Sequence, residues 1–347
     1  MPFVQCAHGG YEAHRTVRSA LARHLARNGT WGSYDLHDRG WCARGKRGAK
    51  LEAAFDIPRK IPYFCTRSPT PYHMSLKNAK VLTISQSIHP FMDGPEEMAK
   101  IARNLPQGIL ECGNEIRVFM PKFGCINERR HQLHEVIRLS GMNLIINDTD
   151  HALLIKVASV PSARMQVYFI DNEEYFKRKA DTHNADGAFY PDNDERALFF
   201  GRGVLETVRK LGWVPDIIHC HGWMTAFVPL YVRHHFNDDP HFENAKLVYT
   251  AYDQKCEPLD KDLPKKLAME GFDPELLKGL AKPNTDELSK FAMSLSDGVV
   301  RGSAKLGKGL ENAVKAYDKP VMNYVPYGEH VKAHADFYHS VLEEALV

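Results

Sequence analysis

The chain has 347 residues, of which 44% are hydrophobic and 25% charged, with a net charge of +2. That balance excludes wholesale disorder, and no apolar run reaches the roughly 18 residues that mark a membrane helix. Seven cysteines, none in a CxxC pair, are too few for a disulfide scaffold and exclude the common zinc-ribbon and thioredoxin patterns. Free thiols in a reducing cytoplasm are the simplest account.

Charge is unevenly spread. Residues 1–73 carry nine Arg and three Lys against five acids, whereas the rest of the chain is net acidic. Within this basic stretch, Tyr11–Asn28 can form one short helix with Val17, Leu21 and Leu25 along a side. Beyond it, Gly32, Gly40, Gly45, Gly48, Pro58, Pro62, Pro69 and Pro71 interrupt every other candidate element. Interspersed acids and the lack of a binding motif argue against a nucleic-acid arm or a targeting peptide. Met74 stands just before the first good strand and is the expected biological start, which makes residues 1–73 a disordered or spurious extension.

From Lys80 the pattern turns regular. Lys80–Gln86 is a β-rich run. Pro95–Cys112 has helical spacing through Met98, Ile101, Ala102, Leu105 and Ile109; Gly113 is its terminator and Pro106 a kink or break within it. Glu115–Met120 is the next strand, which completes a βαβ unit and implies a parallel sheet. Leu153–Val160 and Met165–Ile170 flank Pro161–Arg164 as a hairpin. Tyr168 and Phe169 are read as sheet residues, one of them in the core. Alternation then resumes. A helix at Asp194–Leu211 offers Leu198, Phe199, Val204, Leu205 and Val208 for burial, and Pro215–His219 is a strand. Trp223–His235 is helical in pattern and Lys246–Thr250 a strand. A helix at Asp286–Leu295, a strand at Gly298–Arg301, a helix at Ala304–Ala316, a strand at Val321–Val325 and a helix at Glu329–Leu346 close the chain. Such alternation predicts a single Rossmann-like, doubly wound α/β domain over residues 80–347.

His219 and His221 sit two apart at a strand end, so their side chains share a face. With Cys220 or Asp192 they form a conceivable metal set, but no full ligand pattern supports one. Asp148-Thr149-Asp150 is a DxD triplet in a polar turn before a strand. Asp192 and Arg196 are one helical turn apart, spaced either for an ion pair or for lining a cleft. Cys112, Cys125 and Cys256 are expected to be packing residues.

Six segments, in order, carry a family resemblance. KVLTISQSIHPF at 80–91 resembles the opening strand and E-x-x-P-F turn of bacterial glycogen/starch synthases. EIRVFMPKFG at 115–124 resembles V-R-V-x-x-P-x-Y-G, and VYFIDNEEYF at 167–176 resembles V-Y-F-I-D-N-P-x-Y-F. Asp192–Arg196 resembles D-N-x-x-R-F, PDIIHCHGWMTA at 215–226 resembles P-D-V-V-H-x-H-D-W-H-T-A, and Ser296–Ser303 resembles A-D-x-V-x-T-V-S. The chain is similar to a divergent, shortened, Bacteroidetes-type version of that family's N-terminal catalytic domain.

The resemblance implies one half of a GT-B architecture, in which two Rossmann-like domains face each other across a cleft. It implies glucosyl transfer from ADP-glucose to an α-1,4-glucan, no cofactor and no metal. A cytoplasmic setting follows, as does pairing of the cleft face with a partner protein or a second copy. Asp93, Gly94, Asp171, Asp192, Arg196, His219, His221 and Trp223 are the implied substrate-binding positions, with His221 and Asp192 as candidate catalytic residues.

Departures from the family pattern bear on activity. The family's K-x-G-G-L donor loop is replaced by Phe91-Met92-Asp93-Gly94-Pro95-Glu96-Glu97, which puts acids where a diphosphate needs cations. Gly222 replaces the Asp of H-D-W-H and Met224 its final His, and a thioether supplies neither that hydrogen bond nor a proton. H-N-x-x-Y-Q-G has become Ala251-Tyr252-Asp253-Gln254-Lys255. The length from Lys80 onward suits one Rossmann domain. Transfer is therefore expected to be weak or absent for this chain alone; the alternative role is a non-catalytic glucan- or sugar-nucleotide-binding regulator or an interaction protein.

Overall fold

The computed structural model describes residues 76, 78–92, 96–255, 257–280 and 283–343, together with the backbone of three short strands nearer the N-terminus. Those strands, β1 (Ser33–His37), β2 (Gly40–Arg44) and β3 (Lys50–Leu51), form a small antiparallel sheet that the glycine-rich sequence did not announce. The expected helix at 11–28 and start at Met74 lie outside the described residues.

The main body is a mixed ten-stranded sheet. Its strands are β4 (Lys80–Ser85), β5 (Glu115–Pro121), β6 (His134–Glu135), β7 (Met142–Ile146), β8 (Thr149–Val160), β9 (Met165–Asp171), β10 (Ile217–His221), β11 (Lys246–Ala251), β12 (Gly298–Arg301) and β13 (Val321–Met322). The order is β13-β12-β11-β10-β4-β5-β9-β8-β6, with β7 on β8. From β13 to β9 every pairing is parallel. The chain starts at the centre, winds outward through β5 and β9, then returns to build β10 to β13 on the other side. That is the doubly wound pattern. β8 reverses direction, pairing antiparallel with β9, β6 and β7.

Burial explains the strand sequences. β4, β10 and β11 are covered on both faces; β4 and β11 read as almost continuous apolar runs, whereas β10 buries two histidines. β8 alternates between buried and exposed residues along much of its length, as a strand with one wet face does. Phe169 is fully buried in β9, whereas Tyr168 is half-buried and stacks on Phe119 with ring centroids 4.9 Å apart. β7, which periodicity did not reveal, joins β8 through a tight turn at Asn147 and Asp148, both with positive φ (49° and 59°). The Asp148-Thr149-Asp150 triplet therefore runs from this hairpin turn, at Asp148, into the first two residues of β8.

Helices cover the sheet: α1 (Glu96–Glu111), α2 (Asn193–Lys210), α3 (Leu263–Met269), α4 (Thr285–Ser294), α5 (Lys308–Lys315) and α6 (His330–Glu343). In α1, Met98, Ile101, Ala102, Leu105 and Ile109 are all buried. Pro106, expected at a kink or a break, lies inside this helix without ending it. The residues on either side, Leu105 and Ile109, are anchored in the core, and tertiary packing holds the turns that a missing N–H weakens. In α2, Leu198, Phe199, Val204, Leu205 and Val208 are fully buried as expected, each worth about 1.5–3 kcal/mol by transfer of apolar area.

Three expected elements are corrected. Trp223–His235 is not one helix but a 3₁₀ turn at Trp223–Thr225, one α-turn at Val228–Leu230 and a π-turn at Tyr231–His235. Pro229 removes one N–H from the ladder there. The helix expected from Ala304 starts at Lys308, after Gly307, and the last strand stops at Met322. Cys125 is exposed rather than a packing residue, Cys112 is half-buried, and Cys256 lies outside the described residues.

α6 completes the layer begun by α1. A methyl added at Gly108 in α1 would lie 2.4 Å from Val331 Cγ1, and one at Gly298 in β12 would lie 2.9 Å from both Phe337 and Val341. The two glycines thus let α6 seat against both helix and sheet.

Candidate functional site

In an open doubly wound sheet, ligands bind beyond the carboxyl ends of the strands where the winding reverses. Here that point lies between β4 and β10. Ser85 and His221 are register partners there, and the Gln86 N–H donates to the His221 carbonyl at 3.2 Å. Among the predicted residues, His219, His221 and Trp223 all fall at this crevice, at the end of β10 and in the turn that follows.

His219 and His221 share a face as their spacing requires, with ring centroids 3.9 Å apart. Both are fully buried. His219 is held at both nitrogens, Nδ1 against Tyr338 Oη at 2.6 Å and Nε2 against Thr250 Oγ1 at 2.6 Å. His221 Nδ1 meets Tyr252 Oη at 3.0 Å, while its Nε2 has no protein partner. His334 of α6 adds a third ring, 5.7 Å from His219. Burial removes water from all three, which disfavours the charged imidazolium. Desolvation, then His221 and His334, hold His219 well below the ordinary value. Desolvation, then His334, takes His221 to about 3. Desolvation takes His334 to about 4. The cluster is neutral at pH 7.

The turn after β10 is fixed by Gly222, which has φ +86° and ψ 163°. A Cβ there would lie 3.0 Å from Met98 Sδ, 3.1 Å from Gln86 Oε1 and 3.3 Å from Gln254 Oε1. Trp223 is buried; its N–H donates to Gln254 Oε1 at 3.2 Å and its ring lies 6.0 Å from Phe189. Met224 is fully buried.

Asp192 and Arg196 do not pair. Asp192, the residue before α2, takes two hydrogen bonds from Arg178, at 2.9 and 2.5 Å. Arg196 points inward, fully buried, between the rings of Phe123, Phe176 and Tyr190 at 5.3–5.4 Å. Its Nε donates to the Tyr175 carbonyl at 2.8 Å and its Nη1 to Asn193 Oδ1 at 2.5 Å. Desolvation, with Arg178 nearby, lowers its pKa to about 10, and it remains a cation. Its aromatic cage satisfies the charge in a way no helical i,i+4 spacing reveals. Asp171, at the end of β9, is bound by Lys156 at 2.9 Å; Lys156 and Lys122 share Glu128 at 2.9 and 2.7 Å. Asp93 and Gly94 lie outside the described residues.

Several cations at the carboxyl end of the sheet are thus committed to carboxylates: Lys122, Lys156, Arg178, and Arg301 with Glu311 at 2.6 Å. Lys255 and Lys305 stand exposed on the loops after β11 and β12. Sequence reasoning missed Tyr252, Thr250, His334 and Tyr338 as the frame of the histidines. The i,i+4 histidines of HVKAH at 330–334 were the available signal. Among the described residues, no group of three or more His, Cys, Asp or Glu is placed to hold a metal ion, and no helix is long and apolar enough to cross a membrane.

Fold and crevice together define a doubly wound α/β protein whose winding reverses between β4 and β10. The family model of the starch synthase catalytic domain matches residues 80–311, and the chain belongs to that family. It is 40% identical over 182 residues to the glycogen synthase of Chlorobium limicola, covering 52% of this chain and 37% of that one. It is 35% identical over 257 residues to the glycogen synthase of Chlorobaculum tepidum, covering 70% and 51%. The chain thus spans about half, or less, of the length of these curated relatives. Among solved structures, it is similar to the catalytic domain of starch synthase IV from Arabidopsis thaliana bound to ADP and acarbose. The TM-score is 0.57 at 20% identity over 72% of this chain and 52% of that one, a likeness of fold.

Proposed function

We propose that this protein works in α-glucan biosynthesis in the cytoplasm as a glycogen-synthase-like chain that engages ADP-glucose or glucan at the β4/β10 crevice, with weak or no transfer by itself. Asp93, Gly94, Asp171, Asp192, Arg196, His219, His221 and Trp223 are its proposed site residues, His221 and Trp223 being nearest the crevice and Arg196 and His219 acting as buried supports. Family membership supports the substrate class, because the relatives are glycogen synthases.

The observation that carries the weak-transfer reading is the state of His221. Departure of a diphosphate builds negative charge that must be met by cations or aimed donors. His221 is neutral at pH 7 because burial pushes it to about 3. Met224, buried in the next turn, offers no proton. Lys255 and Lys305 are exposed rather than fixed in the crevice, and a solvated lysine gives less of this stabilisation than a preorganised one.

Purified chain mixed with labelled ADP-glucose and glycogen tests the reading, alongside calorimetric titration with ADP-glucose and with maltooligosaccharide. Binding with little incorporation supports it. Incorporation at the rate of an ordinary enzyme overturns the weak-transfer part, and failure to bind either ligand overturns the substrate class.

A further inference from the structure

At the amino ends of β5 and β9, the end of the sheet opposite the β4/β10 crevice, lies a pocket of about 530 Å³. Arg117 of β5, Ser159 of β8, Gln166 and Tyr168 of β9, and Arg164 of the turn between β8 and β9 line it. Strand register brings them together. Phe119 and Tyr168 are partners across β5 and β9, as are Ser159 and Gln166 across β8 and β9. Side chains alternate along a strand, so Arg117 shares a face with Phe119, and Gln166 with Tyr168. The stack of Tyr168 on fully buried Phe119 makes the tyrosine ring a fixed wall. Arg164 follows the 3₁₀ turn Pro161–Ala163 with φ +50°, and its N–H donates to the Pro161 carbonyl at 3.2 Å. That bond sets where its side chain leaves the backbone.

Part of the lining is already committed. The Asn114 side chain accepts from the Ala79 N–H at 3.0 Å and donates to the Ile109 carbonyl at 3.2 Å. Glu115 accepts from the Trp213 indole N–H at 3.0 Å. The two arginines differ. Arg117 lies over the Trp213 ring at 5.2 Å and its Nη1 donates to the Ile116 carbonyl at 2.9 Å, but its Nε is buried without a partner. A carbonyl leaves its charge unbalanced. The exposed Arg164 side chain makes no hydrogen bond or ion pair among the described residues. Neither arginine pairs with a carboxylate there.

This lining selects a ligand chemistry. A neutral ligand would leave two guanidinium groups unmatched. A phosphate monoester carries a charge of about −1.5 to −2 at pH 7 and three acceptor oxygens, enough for charge-assisted hydrogen bonds from both forks. Inorganic phosphate alone would fill little of the space and leave Tyr168, Leu110, Val160 and Pro161 uncovered. An organic body on the phosphate covers them, with Gln166 and Ser159 to orient it. We propose that this pocket binds a small organic phosphate monoester. The inference goes beyond glucosyl transfer and does not depend on it.

The experiment is calorimetric titration of the full chain, with no transfer assay involved. Ribose 5-phosphate is compared with ribose, phenyl phosphate with phenol, and both esters with inorganic phosphate; the two pairs separate a hydroxylated body from an aromatic one. At least one ester should bind tenfold or more tightly than its neutral parent and than inorganic phosphate. Arg164→Gln should weaken that ester at least fivefold while the melting temperature stays unchanged. Arg117→Gln should weaken it by a similar factor, and Arg117→Lys, which keeps the charge, by less. Absence of binding by both esters, equal binding of the neutral parents or of inorganic phosphate, or unchanged affinity in Arg164→Gln overturns the proposal.

Discussion

The hydroxyl of Tyr338 in α6 lies 2.6 Å from Nδ1 of His219 in β10, and both side chains are fully buried. The contact ties the last described helix to a central strand of the sheet. Tyr338→Phe would keep the ring and leave the His219 nitrogen without a partner. A stranded buried polar group costs about 1–3 kcal/mol. Urea unfolding should show that loss with an unchanged m-value. An equal midpoint would mean that water or another group replaces the phenol.

The same cluster sets a pH dependence. His219, His221 and His334 have folded pKa values below their ordinary 6.5. The unfolded chain therefore binds more protons, and stability rises with pH in this window. The contribution is complete above 6.5 and is lost as pH falls toward the folded values of about 4 for His334 and about 3 for His221. For His334 the loss is on the order of 3 kcal/mol by pH 4. Glu270 works the other way. Burial raises it to about 7, so its contribution is present below 4.5 and lost as pH rises through 7. Urea midpoints of wild type and His334→Asn, followed from pH 7 to 4.5, separate the two. The variant should lose less stability on acidification than wild type, and parallel profiles would contradict the histidine account.

Lys266 offers a test of buried charge. Its Nζ lies 2.7 Å from Asp194, 2.8 Å from Glu195 and 3.2 Å from Asp260, and the Asp194 side chain has no solvent exposure. Lys266→Met would leave these carboxylates unbalanced, at about 3–5 kcal/mol. Adding Asp194→Asn should recover part of that loss. Denaturant unfolding of the single and double variants measures both steps.

Gly222 stands where the family places an aspartate, yet its backbone has φ +86°, open mainly to glycine. Gly222→Ala should cost about 1–3 kcal/mol, because the new methyl also meets Met98 and Gln86 at 3.0–3.1 Å. A thermal melt unchanged by the substitution would show that the turn can relax.

Much of this fold was legible because parallel strands buried on both faces leave continuous apolar runs, as in KVLTIS and KLVYTA, and because α2 keeps strict helical spacing. β6 and β7 were not: β6 is two polar residues, β7 is only five residues long, and both depend on β8 for pairing. At the site, His219 and His221 could be placed on one face by their spacing alone. Their partners Thr250, Tyr252, His334 and Tyr338 lie 31 or more residues away, and only tertiary packing brings them together. Arg196 was misread for the same reason. Its neighbours are aromatic rings from three other segments, not the aspartate one turn back.

The most direct test is the amount of labelled glucose that pure protein moves from ADP-glucose into glycogen at pH 7. A neutral His221 beside Met224 predicts turnover far below the about 1–10³ per second of ordinary enzymes, with ligand binding retained. Sustained incorporation within that range would contradict it, and would mean that lysines such as Lys255 or Lys305 close onto the departing diphosphate.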